Sequence, residues 1–208
     1  MLIGTALTAA ALAVLLFAEA RGLRAVMWAS KPLASTGFLL AALGNGALQS
    51  PYGRGVFVGL ALSFLGDVLL IPKAKSAFLA GLGAFLLGHV GYAAAFVLRG
   101  VSFTVALAGA ALLAIPASVV ARWLWPHVPA PMRAPVLAYI LVISVMVALA
   151  LGTVAKVGGA LVLAGAVMFY LSDLSVARDR FVSREFSNRL WGLPLYYAAQ
   201  LVLASTVR

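Results

Sequence analysis

The sequence predicts an all-α protein that crosses a lipid bilayer eight times. Three observations predict it. Apolar residues make up 64% of the 208 positions and charged residues only 10%, whereas a soluble domain carries about 25% charged residues. The mean hydropathy is +1.11. The apolar residues gather into eight runs close to the ~20 residues that a helix needs to span hydrocarbon, and none shows the alternation of a barrel strand.

In chain order the spans fall at 2–19, 32–49, 55–72, 77–98, 102–122, 134–152, 157–176 and 190–206. The first ends in Ala18-Glu19-Ala20, which mimics a signal-peptidase site. No Lys or Arg precedes it and its apolar stretch is long, so it reads as a membrane span rather than a signal peptide. The second opens at Lys31-Pro32, with Pro at a first-turn position. The third closes on Phe64-Leu65-Gly66-Asp67 and the seventh on Tyr170-Leu171-Ser172-Asp173. The fourth carries His89 and Tyr92, the sixth Tyr139, and the eighth Tyr196 and Gln200. The spacings of three and four place each pair on one helix face. The longest connection, Arg178–Arg189, reads as an interfacial segment. No connection is long enough to fold separately, so 1–208 reads as a single transmembrane domain. Asp67 and Asp173 stand four spans apart, which suggests a parallel four-helix pseudo-repeat.

Charge sets the predicted orientation. Of the 15 Lys and Arg, eleven fall in the first, third, fifth and seventh loops: Arg21, Arg24, Lys31, Lys73, Lys75, Arg122, Arg133, Arg178, Arg180, Arg184 and Arg189. Arg54, Arg99, Lys156 and Arg208 fall on the other side. The bias puts the odd loops in the cytoplasm and both termini outside, in a cell membrane. Trp28, Trp123, Trp125 and Trp191 lie near the cytoplasmic ends and fit an aromatic belt. A net charge of +10 would suggest nucleic acid in a soluble chain. Here the basic residues sit between apolar runs, as topology signals and headgroup contacts, so no nucleic-acid partner is expected. With no Cys, disulfide and thiolate chemistry are excluded.

Five acidic residues exist, Glu19, Asp67, Asp173, Asp179 and Glu185. Three lie at span ends or in loops. Asp67 and Asp173 are flanked by apolar helix about one turn inside the cytoplasmic boundary, where an ionisable group is costly and points to a functional site. The bland alternative is that each pairs with a loop arginine or glues neighbouring helices. Ser63 is one turn before Asp67 on the same face, and His89 is equally readable as an interhelical hydrogen-bond donor. Two histidines do not support a zinc site, so neither a metal nor a cofactor is expected. Neither a Gly-x-Ser-x-Gly elbow nor a phosphate-binding glycine loop is present.

The order Lys31-Pro32, Leu65-Gly66-Asp67, Phe78 through Gly81 and Phe85 to His89 and Tyr92, then Tyr139, Met146, Gly165-Ala166, Phe169, Ser172-Asp173, Tyr196 and Gln200 resembles the YhhN family of membrane proteins. That family includes the lysoplasmalogenases. The resemblance covers nearly the whole chain and the eight spans. It implies hydrolysis of the vinyl ether bond of a lysoplasmalogen to a fatty aldehyde and a glycerophospho-base. Such chemistry needs a proton delivered to carbon and a base for water, and two carboxyls sharing a low-dielectric pocket divide those roles. Asp67 and Asp173 are the expected catalytic pair, with the acid and the base not distinguished. Lys31, Ser63, His89, Tyr92, Tyr139, Ser172, Tyr196 and Gln200 are the expected substrate-binding residues, and Lys31 with nearby arginines would hold the lipid phosphate. The rival readings are a proton-coupled transporter using the same carboxylates and a non-enzymatic membrane scaffold.

Overall fold

The apolar runs fold as helices because a backbone in hydrocarbon must satisfy its own N–H and C=O groups. In a computed structural model, which describes residues 1–72 and 74–208, the α-helices are α1 (Leu2–Arg21), α2 (Arg24–Gly44), α3 (Pro51–Leu69), α4 (Lys75–Arg99), α5 (Phe103–Leu124), α6 (Ala130–Val157), α7 (Ala160–Ala177) and α8 (Phe186–Ser205). A 3-10 turn, Ala47–Gln49, precedes α3, and a π-helical turn, Arg178–Val182, extends α7. Lys73, one of the basic residues assigned to the third loop, lies outside the described residues. Among the described residues, seven helices are long and apolar enough to cross a membrane. The eighth, α8, is as long as α1 but carries Asn188, Arg189, Tyr196, Tyr197 and Gln200.

Most helix boundaries differ by a few residues from those read in the sequence, and the largest shift is at the start of α2. Helix α2 starts at Arg24 rather than 32, because Gly22 takes the left-handed conformation (φ 66°) and the Leu23 N–H closes on the Ala18 carbonyl, turning the chain directly from α1 into α2. Pro32 therefore lies inside the helix, not at its opening. Ser30, Ser35 and Thr36 hydroxyls bond the Val26, Lys31 and Pro32 carbonyls around it, as membrane helices with an interior proline commonly do. Helices α6 and α8 also begin earlier, at Ala130 and Phe186. The interfacial segment shrinks to the π-helical turn and three residues.

Consecutive helices pack in pairs, α1 with α2, α3 with α4, α5 with α6 and α7 with α8. The pairing repeats with a period of four helices: α2–α3 has its counterpart in α6–α7, and α4–α6 in α8–α2. Small residues permit the close approaches. A Cβ on Gly37 of α2 would lie 2.3 Å from Thr8 Oγ1 of α1, and one on Gly66 of α3 would lie 2.6 Å from the Phe85 ring of α4. The main core gathers Phe38, Tyr92, Phe96, Met146, Phe169 and Leu203. Helix α5 stands at the periphery, with Leu107, Leu112 and Ile115 outward.

Candidate active site

The two aspartates are held by matching sets of helices. Asp67, on α3, is buried between α2 and α8. Its Oδ2 accepts hydrogen bonds from Ser35 Oγ at 2.6 Å and Tyr196 Oη at 2.7 Å, and its Oδ1 lies 3.4 Å from Lys31 Nζ. Asp173, on α7, sits between α6 and α4. Its Oδ2 accepts from Tyr139 Oη at 2.6 Å and lies 3.5 Å from His89 Nε2. Advancing each helix of the first set by four places gives the second. The two sites differ in charge: Asp67 has an ammonium partner, whereas Asp173 has no Lys or Arg in ion-pair reach among the described residues.

Both carboxyls line one cavity of about 630 Å³. Tyr139, Tyr196, Ser172 and Lys31 also line it. One arm is apolar, walled by Phe78 and Leu82 of α4, Val120 and Leu124 of α5, and Val136 and Ile140 of α6. The mouth lies at the end of the bundle bearing the odd loops, among Glu19, Arg24, Trp28, Asp179, Arg180, Arg184 and Arg189. Arg189 of α8 bonds the Glu19 carboxylate of α1 and stands 3.3 Å from Asp179 Oδ2 of the π-helical turn. Arg178 bonds Asn188 Oδ1. These contacts tie the α7–α8 connection across the mouth.

Four of the residues singled out from the sequence lie behind the cavity wall. Ser63 is buried and donates to the Gly59 carbonyl. Tyr92 donates to Gln200 Oε1 at 2.5 Å, and Gln200 Nε2 is buried with no partner among the described residues. His89 is fully buried, with Nδ1 2.6 Å from the Phe85 carbonyl. An Nδ1–H donated there leaves Nε2 as an acceptor turned toward Asp173. Phe169 joins the two sets, its ring 4.3 Å from the His89 ring and 5.5 Å from that of Tyr196. Among the described residues no group of three His, Asp or Glu side chains converges as metal ligands would.

Ser35 escaped the sequence reading, although it bonds Asp67 directly. Its signal is its place four residues after Lys31, on the same helix face. Trp28, whose place in the sequence fits an interfacial belt, lines the cavity mouth. Arg24, Trp28 and Lys31 recur at helical spacing along that wall.

A family model described as the YhhN family matches residues 26–207. The chain is 31% identical over 173 residues to the lysoplasmalogenase TMEM86A of Bos taurus, covering 80% of this chain and 70% of that protein. It is 35% identical over 182 residues to a lysoplasmalogenase of Mycobacterium bovis, covering 82% of this chain and 66% of that protein. A Mycobacterium tuberculosis lysoplasmalogenase matches to the same extent, 35% over 182 residues. No solved structure matches.

Proposed function

The chain belongs to the YhhN family, and on that premise we propose that it is an intramembrane hydrolase that cleaves the vinyl ether bond of lysoplasmalogens. The observation that carries this reading is the placement of Asp67 and Asp173 on one cavity that joins a charged mouth to an apolar arm. A single-chain amphiphile needs such a cavity: a polar end for the headgroup, an apolar end for the alkenyl chain, and proton-handling groups between.

The asymmetry of the two carboxyls supports a division of roles between them. Lys31, Ser35 and Tyr196 supply Asp67 with a countercharge and two donors, which favours a carboxylate. Asp173 has a neutral hydroxyl as its hydrogen-bond donor. A sheltered carboxylate without a countercharge is costly, so Asp173 is the member that carries the proton. It delivers that proton to the β-carbon of the vinyl ether, and the α-carbon becomes part of an oxocarbenium ion. The Asp67 carboxylate stabilises that cation and takes a proton from the water that adds to it. The hemiacetal then breaks its C–O bond: Asp67 returns its proton to the leaving glycerol oxygen and the Asp173 carboxylate takes the hemiacetal hydroxyl proton, which releases aldehyde and glycerophospho-base and restores both carboxyls. Tyr139 and Tyr196 orient the two carboxyls, and His89 and Phe169 buttress them from behind.

The mouth opens on the basic end of the bundle, which we read as cytoplasmic with both termini outside. One chain, as a single transmembrane domain, holds the whole cavity. The experiment is to incubate purified protein in uncharged detergent with an alkenyl lysophosphoethanolamine and to measure fatty aldehyde. Turnover that is lost in Asp67→Asn and in Asp173→Asn supports the reading. No aldehyde from the unaltered protein rejects it, and a transporter, which needs two compartments, becomes the better description.

A further inference from the structure

All five acidic side chains have partners. Asp67 faces Lys31, Asp173 faces His89, Glu19 and Asp179 share Arg189, and Glu185 lies 3.6 Å from Arg178. Three arginines on the cavity mouth remain, Arg24, Arg180 and Arg184. None has an acidic partner in ion-pair reach among the described residues. They come from two separate elements, Arg24 from the start of α2 and the other two from the α7–α8 connection. The Arg180 Cζ lies 4.0 Å from the centre of the Phe78 ring. A cation–π contact of this kind positions a guanidinium without using an acidic partner, so its N–H donors remain for an anion.

We infer that Arg24, Arg180 and Arg184 form a phosphate subsite that holds the headgroup phosphodiester of a single-chain lipid. The inference rests on the hydrolase reading for the identity of that lipid. Guanidinium forks match phosphate oxygens in pairs, and a mouth whose carboxylates are all engaged presents net positive charge to an anion. Lys31 is not part of this subsite, because it is engaged by Asp67. With the phosphate at the mouth and the chain in the apolar arm, the glycerol C1 oxygen falls between the ends, beside the two aspartates. The subsite thus sets the register of the bond to be cleaved, beyond adding affinity.

The same arginines would also attract any anionic membrane surface, and free phosphate shares the chemistry. The test therefore measures binding of two uncleavable ligands in uncharged detergent, 1-alkyl-glycerophosphoethanolamine and 1-alkylglycerol, by tryptophan fluorescence. The subsite requires the phosphate-bearing ligand to bind more tightly to the unaltered protein. It requires the triple variant Arg24→Gln, Arg180→Gln, Arg184→Gln to weaken that ligand about tenfold or more and leave alkylglycerol unchanged. Lys75→Gln removes a charge at the same end of the bundle but off the cavity, and should change neither. Should the triple variant fail to fold, the exposed Arg184→Gln alone must weaken the phosphate ligand selectively. Equal affinities for the two ligands overturn the subsite, as does an equal loss in Lys75→Gln. Competition by millimolar inorganic phosphate as strong as by glycerophosphoethanolamine overturns the headgroup assignment. Aldehyde release is scored separately, so loss of the hydrolase reading and loss of the subsite are told apart.

Discussion

Lys31 Nζ stands 3.4 Å from Asp67 Oδ1 and is the one Lys or Arg side chain, among the described residues, within ion-pair reach of Asp67 or Asp173. The fourfold helix repeat brings the two carboxyls to matching places; this lysine makes them chemically different.

Removing Lys31 tests that difference. Breaking a buried ion pair from one side costs about 3–5 kcal/mol, and Lys31 is 13% exposed, so the lower end applies. Lys31→Met is expected to lower the thermal unfolding midpoint in detergent clearly. Adding Asp67→Asn to it should recover most of that loss without recovering activity. A midpoint unchanged in Lys31→Met would show the pair to be unimportant for the fold.

The two tyrosines should differ in kind. Tyr139→Phe leaves Asp173 with no hydrogen-bond donor among the described residues, whereas Tyr196→Phe leaves Asp67 with Ser35 and Lys31. Asp173 becomes a carboxylate as it gives up its proton, and a hydrogen bond to a charged group is worth about 1.5–3 kcal/mol, so kcat should fall by about 10²-fold in Tyr139→Phe and by under about tenfold in Tyr196→Phe, where two partners remain. Steady-state kinetics on an alkenyl lysolipid decide this. The reverse order would exchange the roles of the two carboxyls.

Glycine on α3 sets the site's width. An added Cβ at Gly66 would meet the Phe85 ring at 2.6 Å, and Phe85 lines the cavity and packs against Tyr196. Gly66→Ala is expected to destabilise by about 1–3 kcal/mol through overpacking and to reduce turnover with it. Gly83, on α4, has nothing within 4 Å of an added Cβ. Gly83→Ala should be neutral or stabilising by about 1 kcal/mol from helix propensity. Unfolding midpoints of the two variants side by side give the answer.

Glu185 precedes α8 at the mouth. The Ser183 and Ser187 hydroxyls, with Arg178 beside them, hold its carboxyl below the ordinary value. A carboxyl shifted down on folding contributes fully above its unfolded value and loses that contribution as pH falls through the folded one. Amide exchange around Ser183–Asn188, corrected for intrinsic rate, should therefore stay protected as pH falls to about 4.5 and open below it. In Glu185→Gln that protection should be weak at every pH. A variant with unaltered protection would remove Glu185 from the tether.

Much of this arrangement is legible in the sequence. Helix number follows from apolar run length, and Asp67 and Asp173 stand out because ionisable residues inside spans are rare. Tyr139 and Tyr196 could be named, but not paired with a particular aspartate, because that pairing depends on helices distant in the chain. Ser35 was missed because a serine in an apolar helix carries no cost that draws notice. The depth of Ser63, Tyr92 and Gln200 behind the cavity wall was equally hidden, since helical periodicity gives a face but not what packs upon it. The early start of α2 was obscured by Pro32, which reads as a helix opening until the Ser35 and Thr36 hydroxyls are seen to bond the Lys31 and Pro32 carbonyls.

Helix α8 brings Tyr196 to Asp67 and Arg189 to the mouth, yet its polar content sets it apart from the seven helices that, among the described residues, are long and apolar enough to cross a membrane. Such a segment partitions poorly into lipid alone and gains a stable seat only when α1, α2, α3 and α7 are there to receive its polar side chains. During synthesis, then, the last helix should enter the bilayer as a client of the earlier ones. Its arrival would bring Tyr196 to a carboxyl that α3 has already carried into the bilayer, so the hydrogen-bonding of Asp67 is completed late.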